Sequence, residues 1–204
     1  MLKIYLVRHA QSVANKGGIT VGGDKDVELS EEGINQADLL VRYFKGKKVK
    51  SVYCSDLSRA SATAKTIADA LDIPCVEDSN LRELKIGEWS GTPNPLEKWI
   101  KYYEDEKRKG RHREEIRPTG GENSWDHLRR ISLFLDSVKS EWGEIIVIGH
   151  SGTNKVFIGL INKTDPNEFY TFKQDNACIN EIEFDGGNWK VLSINDTSHL
   201  KDGT

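Results

Sequence analysis

The chain opens with an apolar run, residues 2–7, interrupted only by Lys3 and ending at Arg8-His9. A run this short, bounded by polar residues, predicts a buried strand. The period then changes. Ser30, followed by Glu31 and Glu32, reads as an N-cap with acids in the first helical turn. Ile34, Ala37, Val41 and Phe44 recur at helical spacing and predict the core face of that helix. A second strand is predicted over 49–54. The helix after it carries Leu57, Ala60, Ala64, Ile67, Ala68 and Leu71 on one side and stops before Pro74.

The middle of the chain is less regular. Segment 99–117 is dense in charge, with seven Lys/Arg and five Asp/Glu from Lys101 onward, and Pro118-Thr119-Gly120-Gly121 breaks it. A helix is predicted from Ser124 to Trp142, with Trp125, Leu128, Ile131, Leu135 and Val138 at steps of three and four. "EIIVIG" is a strong strand ending in Gly149-His150, and a short helix is expected from Thr153 to Ile161. "CINEIEF" and "WKVLSI" flank "DGGN" and read as an antiparallel hairpin.

Strands alternating with helices predict an α/β fold: a three-layer α/β/α sandwich around a mostly parallel sheet, with the hairpin as an antiparallel edge. No repeat, linker or composition step divides the chain, so 1–204 is expected to be one domain. Its 204 residues, 37% hydrophobic and 30% charged, suit a globular domain with a sizeable core. A net charge of −3 gives no global preference for nucleic acid or an anionic membrane, so any anion site must be a local cluster. Cys54, Cys75 and Cys178 show no CxxC spacing and fit buried thiols in a reducing compartment. Arg8 interrupts the first apolar run, no signal-peptide pattern follows, and no stretch reaches the ~18 apolar residues of a membrane span; a cytoplasmic location is expected.

Candidate chemistry lies where strands end, because open α/β sheets bind ligands beyond the carboxyl ends of their strands. Two strands end in histidine, His9 and His150. Either alone could cap a helix or fill a polar pocket; together they suggest one site. Arg8 precedes His9. Arg59 lies early in a helix, where the dipole disfavours a cation unless an anion is near. Glu83 sits between Leu81 and Leu84, surroundings that can hold a carboxyl protonated, although pairing with Arg82 or Lys85 on the surface is the alternative. His112 and His127 belong to no pattern and are expected at the surface.

The blocks "LVRHAQSVAN", "SDLSRASATA", "LRELKIGEWSG", "GGENSWDHLRRI" and "GHSG", in this order, resemble the histidine phosphatase superfamily, with its phosphoglycerate mutase-like fold. The resemblance implies a phosphomonoester hydrolase working through a phosphohistidine. His9 would be the nucleophile, Arg8, Arg59 and His150 would surround the phosphoryl oxygens, and Glu83 would be the proton donor. Asn15 and Ser151 would bind substrate, and no metal or other cofactor would be needed. The expected partner is a small-molecule phosphomonoester, with no nucleic acid and no membrane, and a homodimer is left open. Segment 99–117, within about 92–120, would form a cap, with Arg111, Arg113 and Arg117 as candidates for a second anionic group.

The sequence departs from the family pattern in several places. Ala10 stands where Gly is usual, Glu28 where many members have Pro, Ser90 where Glu is common, and Asn123 where Ser is usual. Ile86 occupies the place of a histidine expected in metal-independent phosphoserine phosphatases. The short stretch between "GEWSG" and "GGEN" resembles the phosphatase branch, which also holds broad-specificity and α-ribazole phosphatases. A cofactor-dependent phosphoglycerate mutase and a non-catalytic phosphoester-binding protein are the alternatives.

Overall fold

The computed structural model describes residues 1–165, 169 and 171–203. In chain order the main elements are β1 (Leu2–Arg8), α1 (Val13–Lys16), α2 (Glu31–Phe44), β2 (Val49–Cys54), α3 (Ser58–Leu71) and β3 (Cys75–Glu77). There follow α4 (Pro95–Arg108), α5 (Ser124–Val138), β4 (Gly143–Gly149), α6 (Ser151–Asn162), β5 (Ile179–Phe184) and β6 (Trp189–Asp196). One six-stranded sheet runs β3-β2-β4-β1-β5-β6. β3, β2, β4 and β1 are mutually parallel, and the β5–β6 hairpin adds the antiparallel edge. The expected sandwich is therefore present.

Alternation along β1 shows why its apolar run is continuous. Tyr5 and Val7 face a core shared with Ala37, Leu40 and Phe44 of α2 and with Ala60, Ala64 and Ile67 of α3. Leu2, Ile4 and Leu6 face the opposite core, with Ile131 and Phe134 of α5 and Val156 and Phe157 of α6. A strand covered on both faces needs apolar residues at both parities.

The same arrangement positions a site. β1 is followed by helices on the first face and β4 by α6 on the second, and β1 and β4 are neighbours in the sheet. Connections leaving adjacent parallel strands for opposite faces open a crevice at their carboxyl ends.

Several sequence expectations need correction. Ile34 is not a core residue of α2 but is 56% exposed; the core face is built by Ala37, Leu40 and Phe44. α5 stops at Val138, before Trp142, because the chain must turn into β4 through Gly143 at φ 84°. α6 begins at Ser151. His112 is exposed, but His127 is fully buried between α5 and α6. Its Nε2 lies 3.1 Å from Thr153 Oγ1, whose hydroxyl donates to the Arg82 carbonyl at 2.9 Å. Of the cysteines, Cys54 and Cys178 are buried and Cys75 is partly so; all three are free thiols.

Candidate active site

β1 and β4 place their last residues side by side. Arg8 pairs with Gly149 in the parallel register, and the His9 N–H donates to the Gly149 carbonyl at 3.0 Å. The next residue on each chain is therefore His9 and His150, with ring centroids 5.0 Å apart and an interplanar angle of 61°. Both are buried. His9 Nδ1 is 2.7 Å from the Ala10 carbonyl. A carbonyl only accepts, so Nδ1 carries the proton and Nε2 keeps its lone pair. Burial first, then the Arg8 and Arg59 charges, holds the His9 pKa well below its ordinary range.

His150 is held low by burial first, then by His9, Arg59 and Arg8. No described residue hydrogen-bonds either of its buried ring nitrogens, nor Arg8 Nε. Buried polar atoms are rarely left so, and both residues that carry them, His150 and Arg8, line one crevice.

Arg8 Nη1 donates to the Gln174 carbonyl at 2.6 Å, on the strap leading to β5. Arg59, the second residue of α3, is 3% exposed and donates to the carbonyls of Gly22 at 2.9 Å and Lys25 at 3.3 Å. Burial lowers the pKa of both guanidiniums, and the Glu83 charge opposes the effect.

Glu83 is fixed by backbone. The Leu84 N–H donates to Oε1 and the Gly152 N–H to Oε2, each at 2.9 Å. Neither Arg82 nor Lys85 takes it on the surface: Arg82 forms a bidentate pair with Asp56, both bonds 2.6 Å. The segment around Glu83 is held in turn by Arg130, which donates to the Asn80 and Arg82 carbonyls and pairs with Glu122.

A cavity of about 340 Å³ joins these groups. Arg8, His9, Arg59, Glu83, His150 and both expected substrate-binding residues, Asn15 and Ser151, line it. The structure thus brings all seven together. Asn15 Oδ1 accepts from Ser12 Oγ at 3.0 Å and Asn176 Nδ2 at 3.0 Å, which aims its amide N–H₂ elsewhere as a donor. The family departures fit locally. Ala10 is buried with its N–H on Thr63 Oγ1 at 3.2 Å, Ser90 Oγ donates to the Val21 carbonyl at 2.7 Å, and Asn123 caps α5 as Ser would.

The expected second-anion arginines are placed otherwise. Among the described residues none from 92–120 lines the cavity. Arg117 is committed to a bidentate pair with Asp126 and Arg111 to Glu106, while the Arg113 side chain lies outside the described part. What the sequence reading missed is the wall formed by Ile19, Thr20, Val21 and Gly22, with Leu84 and Ile86. No motif marks Ile19 to Gly22; Leu84 and Ile86 lie within the "LRELKIGEWSG" block, where Ile86 stands as a departure from the family pattern. Gln174, whose carbonyl holds Arg8, and Asn176, whose side-chain amide donates to the His9 carbonyl at 3.2 Å, were not singled out as site residues either, because these contacts reach the site from the far end of the chain.

The histidine phosphatase superfamily (branch 1) family model matches residues 4–197. The chain belongs to the histidine phosphatase superfamily. A curated relative, phosphoserine phosphatase 1 of Hydrogenobacter thermophilus, is 31% identical over 202 residues, covering 98% of this chain and 95% of that protein. Among solved structures, Bacillus stearothermophilus YhfR aligns with a TM-score of 0.84 at 24% identity, covering 98% of this chain and 100% of that one. A phosphoserine phosphatase from Entamoeba histolytica, solved with 3-phosphoglyceric acid, aligns at 0.82 and 26% identity, over 98% and 100% of the two chains. The fold is the phosphoglycerate mutase-like one, and family and relatives together class the chain as a phosphatase. Among the described residues, no helix is long and apolar enough to cross a membrane.

Proposed function

We propose that the chain hydrolyses small-molecule phosphomonoesters through a phosphohistidine on His9, without a metal. The observation that carries this is the Nδ1 contact of His9 with the Ala10 carbonyl, which leaves Nε2 as an unprotonated nucleophile between two arginines. Nε2 attacks phosphorus in line, and the bond to the ester oxygen breaks as that oxygen takes a proton that the substrate brings in as its monoanion and Glu83 relays. Arg8 and Arg59 bear the equatorial oxygens' charge, which persists through a loose transition state. A dianion against His150 reverses the local charge balance, so its imidazole can take a proton and donate. Water, deprotonated by Glu83, then attacks the phosphohistidine and releases inorganic phosphate and free His9.

Metal independence rests on the cationic cluster, in which Arg8 and Arg59 would carry the charge an ion would otherwise hold. Hydrolysis of p-nitrophenyl phosphate in EDTA tests the reading. His9→Ala is expected to lose at least 1,000-fold (about 10³) in kcat/KM, and acid-labile, alkali-stable phosphate should be trapped on wild-type His9. Turnover surviving in His9→Ala would refute the mechanism. Isomerisation of 3-phosphoglycerate, primed by 2,3-bisphosphoglycerate, outpacing its hydrolysis would assign the chain to mutase chemistry.

A further inference from the structure

We infer that the leaving-group half of the cavity takes an uncharged alcohol and discriminates against carboxylated phosphoesters. This deepens the phosphatase reading and rests on it. The charged residues lining the cavity are Arg8, Arg59 and Glu83, and all three belong to the phosphoryl end. Beyond them the wall presents Ile19, Val21, Leu84 and Ile86, with Thr20 as its neutral polar residue. Among the described residues no further cation lines the cavity. A carboxylate entering here would give up water for no cation and, among the side chains of this wall, only the Thr20 hydroxyl as donor, whereas a hydroxyl or methylene would lose little.

The wall is built to keep its shape. The Gly23 N–H donates to the Leu84 carbonyl at 2.9 Å, and the Gly91 N–H to the Thr20 carbonyl at 2.9 Å. Ser90 Oγ donates to Val21 O at 2.7 Å. The Asp24 carboxylate accepts from the N–H groups of Ile86 at 2.7 Å and Gly87 at 3.1 Å. Two segments about sixty residues apart in the chain are thereby stitched along both edges. Such a wall cannot easily swing a distant lysine or arginine inward. Lys155, half-buried on α6 and within electrostatic reach of Glu83 and Arg8, lies outside the lining. The Hydrogenobacter relative is named for phosphoserine, a carboxylated ester; the inference sets this chain apart from that specificity.

The test uses a matched pair. sn-Glycerol 1-phosphate and D-3-phosphoglycerate share the configuration at C2 and differ only in a terminal hydroxymethyl or carboxylate. The ratio of their kcat/KM values is expected to exceed ten in favour of the neutral ester, and a ratio of one or below would overturn the inference. Ile86→Arg is expected to cut the ratio at least tenfold, with Val21→Arg as the second variant should the first fail to fold. An unchanged ratio in a folded variant would count against the wall. A tenfold rise in Lys155→Gln would show that Lys155 already serves the carboxylate, and would overturn the inference too. The same ratio, read as dissociation constants by titration calorimetry on His9→Ala, needs no turnover. Hydrolysis persisting in His9→Ala would sink the phosphohistidine mechanism but leave this preference measurable.

Discussion

Gly152 contributes only hydrogen where the other residues of the crevice contribute functional groups. Its N–H holds Glu83 Oε2, and a Cβ built on it would lie 2.4 Å from Oε1. An alanine here must push the carboxylate aside. Gly152→Ala is therefore expected to lower kcat/KM on the order of 100-fold, since displacing a proton donor by about an ångström costs that much. Thermal stability should stay close to wild type. A variant with full activity would show that Glu83 is not held in place from α6. At this scale the sequence was informative: every proposed catalytic side chain lies in a local block whose order could be read. His127 was misread because burial of a lone histidine is decided by the packing of α5 on α6, which spacing within one helix does not reveal.

At the scale of elements, the cavity wall depends on Asp24, an exposed side chain on the loop between α1 and α2. It ties down the Ile86 and Gly87 amides, and Gly87 has φ 58° with its Cα packed against the Thr119 carbonyl. Asp24→Ala frees both amides. The local loss is about 1–2 kcal/mol, and KM is expected to rise several-fold with little change in kcat. Faster hydrogen exchange at Ile86 and Gly87 checks the cause; an unchanged KM would place the wall's rigidity elsewhere. Elements with a strong period, such as β1, α3 and β4, were legible because one or two faces of each must be apolar. The wall was not, because its shape comes from side chain–backbone bonds between loops distant in sequence. Segment 99–117 was misleading for a related reason: Arg111 and Arg117 look available in sequence but are paired in space.

At the scale of the whole molecule, His9, His127 and His150 are buried and neutral. Burial is the first cause in each case, and His127 is brought down to about 3. Their pKa values are lower folded than unfolded, so below the ordinary 6.5 the unfolded chain binds more protons. Their contribution to stability is complete above that pH and lost as pH falls toward the folded values. The slope is about 1.4 kcal/mol per pH unit for each histidine. Urea unfolding is expected to show lower stability at pH 5 than at pH 7, and His127→Gln should flatten the dependence by one proton. Equal stability at both pH values would contradict the buried neutral state. Bound phosphate should weaken the dependence, because a dianion favours the protonated form of His150.

β1 sits in mid-sheet, and its partners are β4 and β5, which follow it by about 140 residues or more in the chain. β1 must therefore wait for strands made long after it. Until then neither the paired imidazoles nor the Gln174 anchor of Arg8 can exist. Competence thus needs both β4 and the strap before β5, and a chain arrested or clipped ahead of the hairpin is expected to be silent rather than partly active.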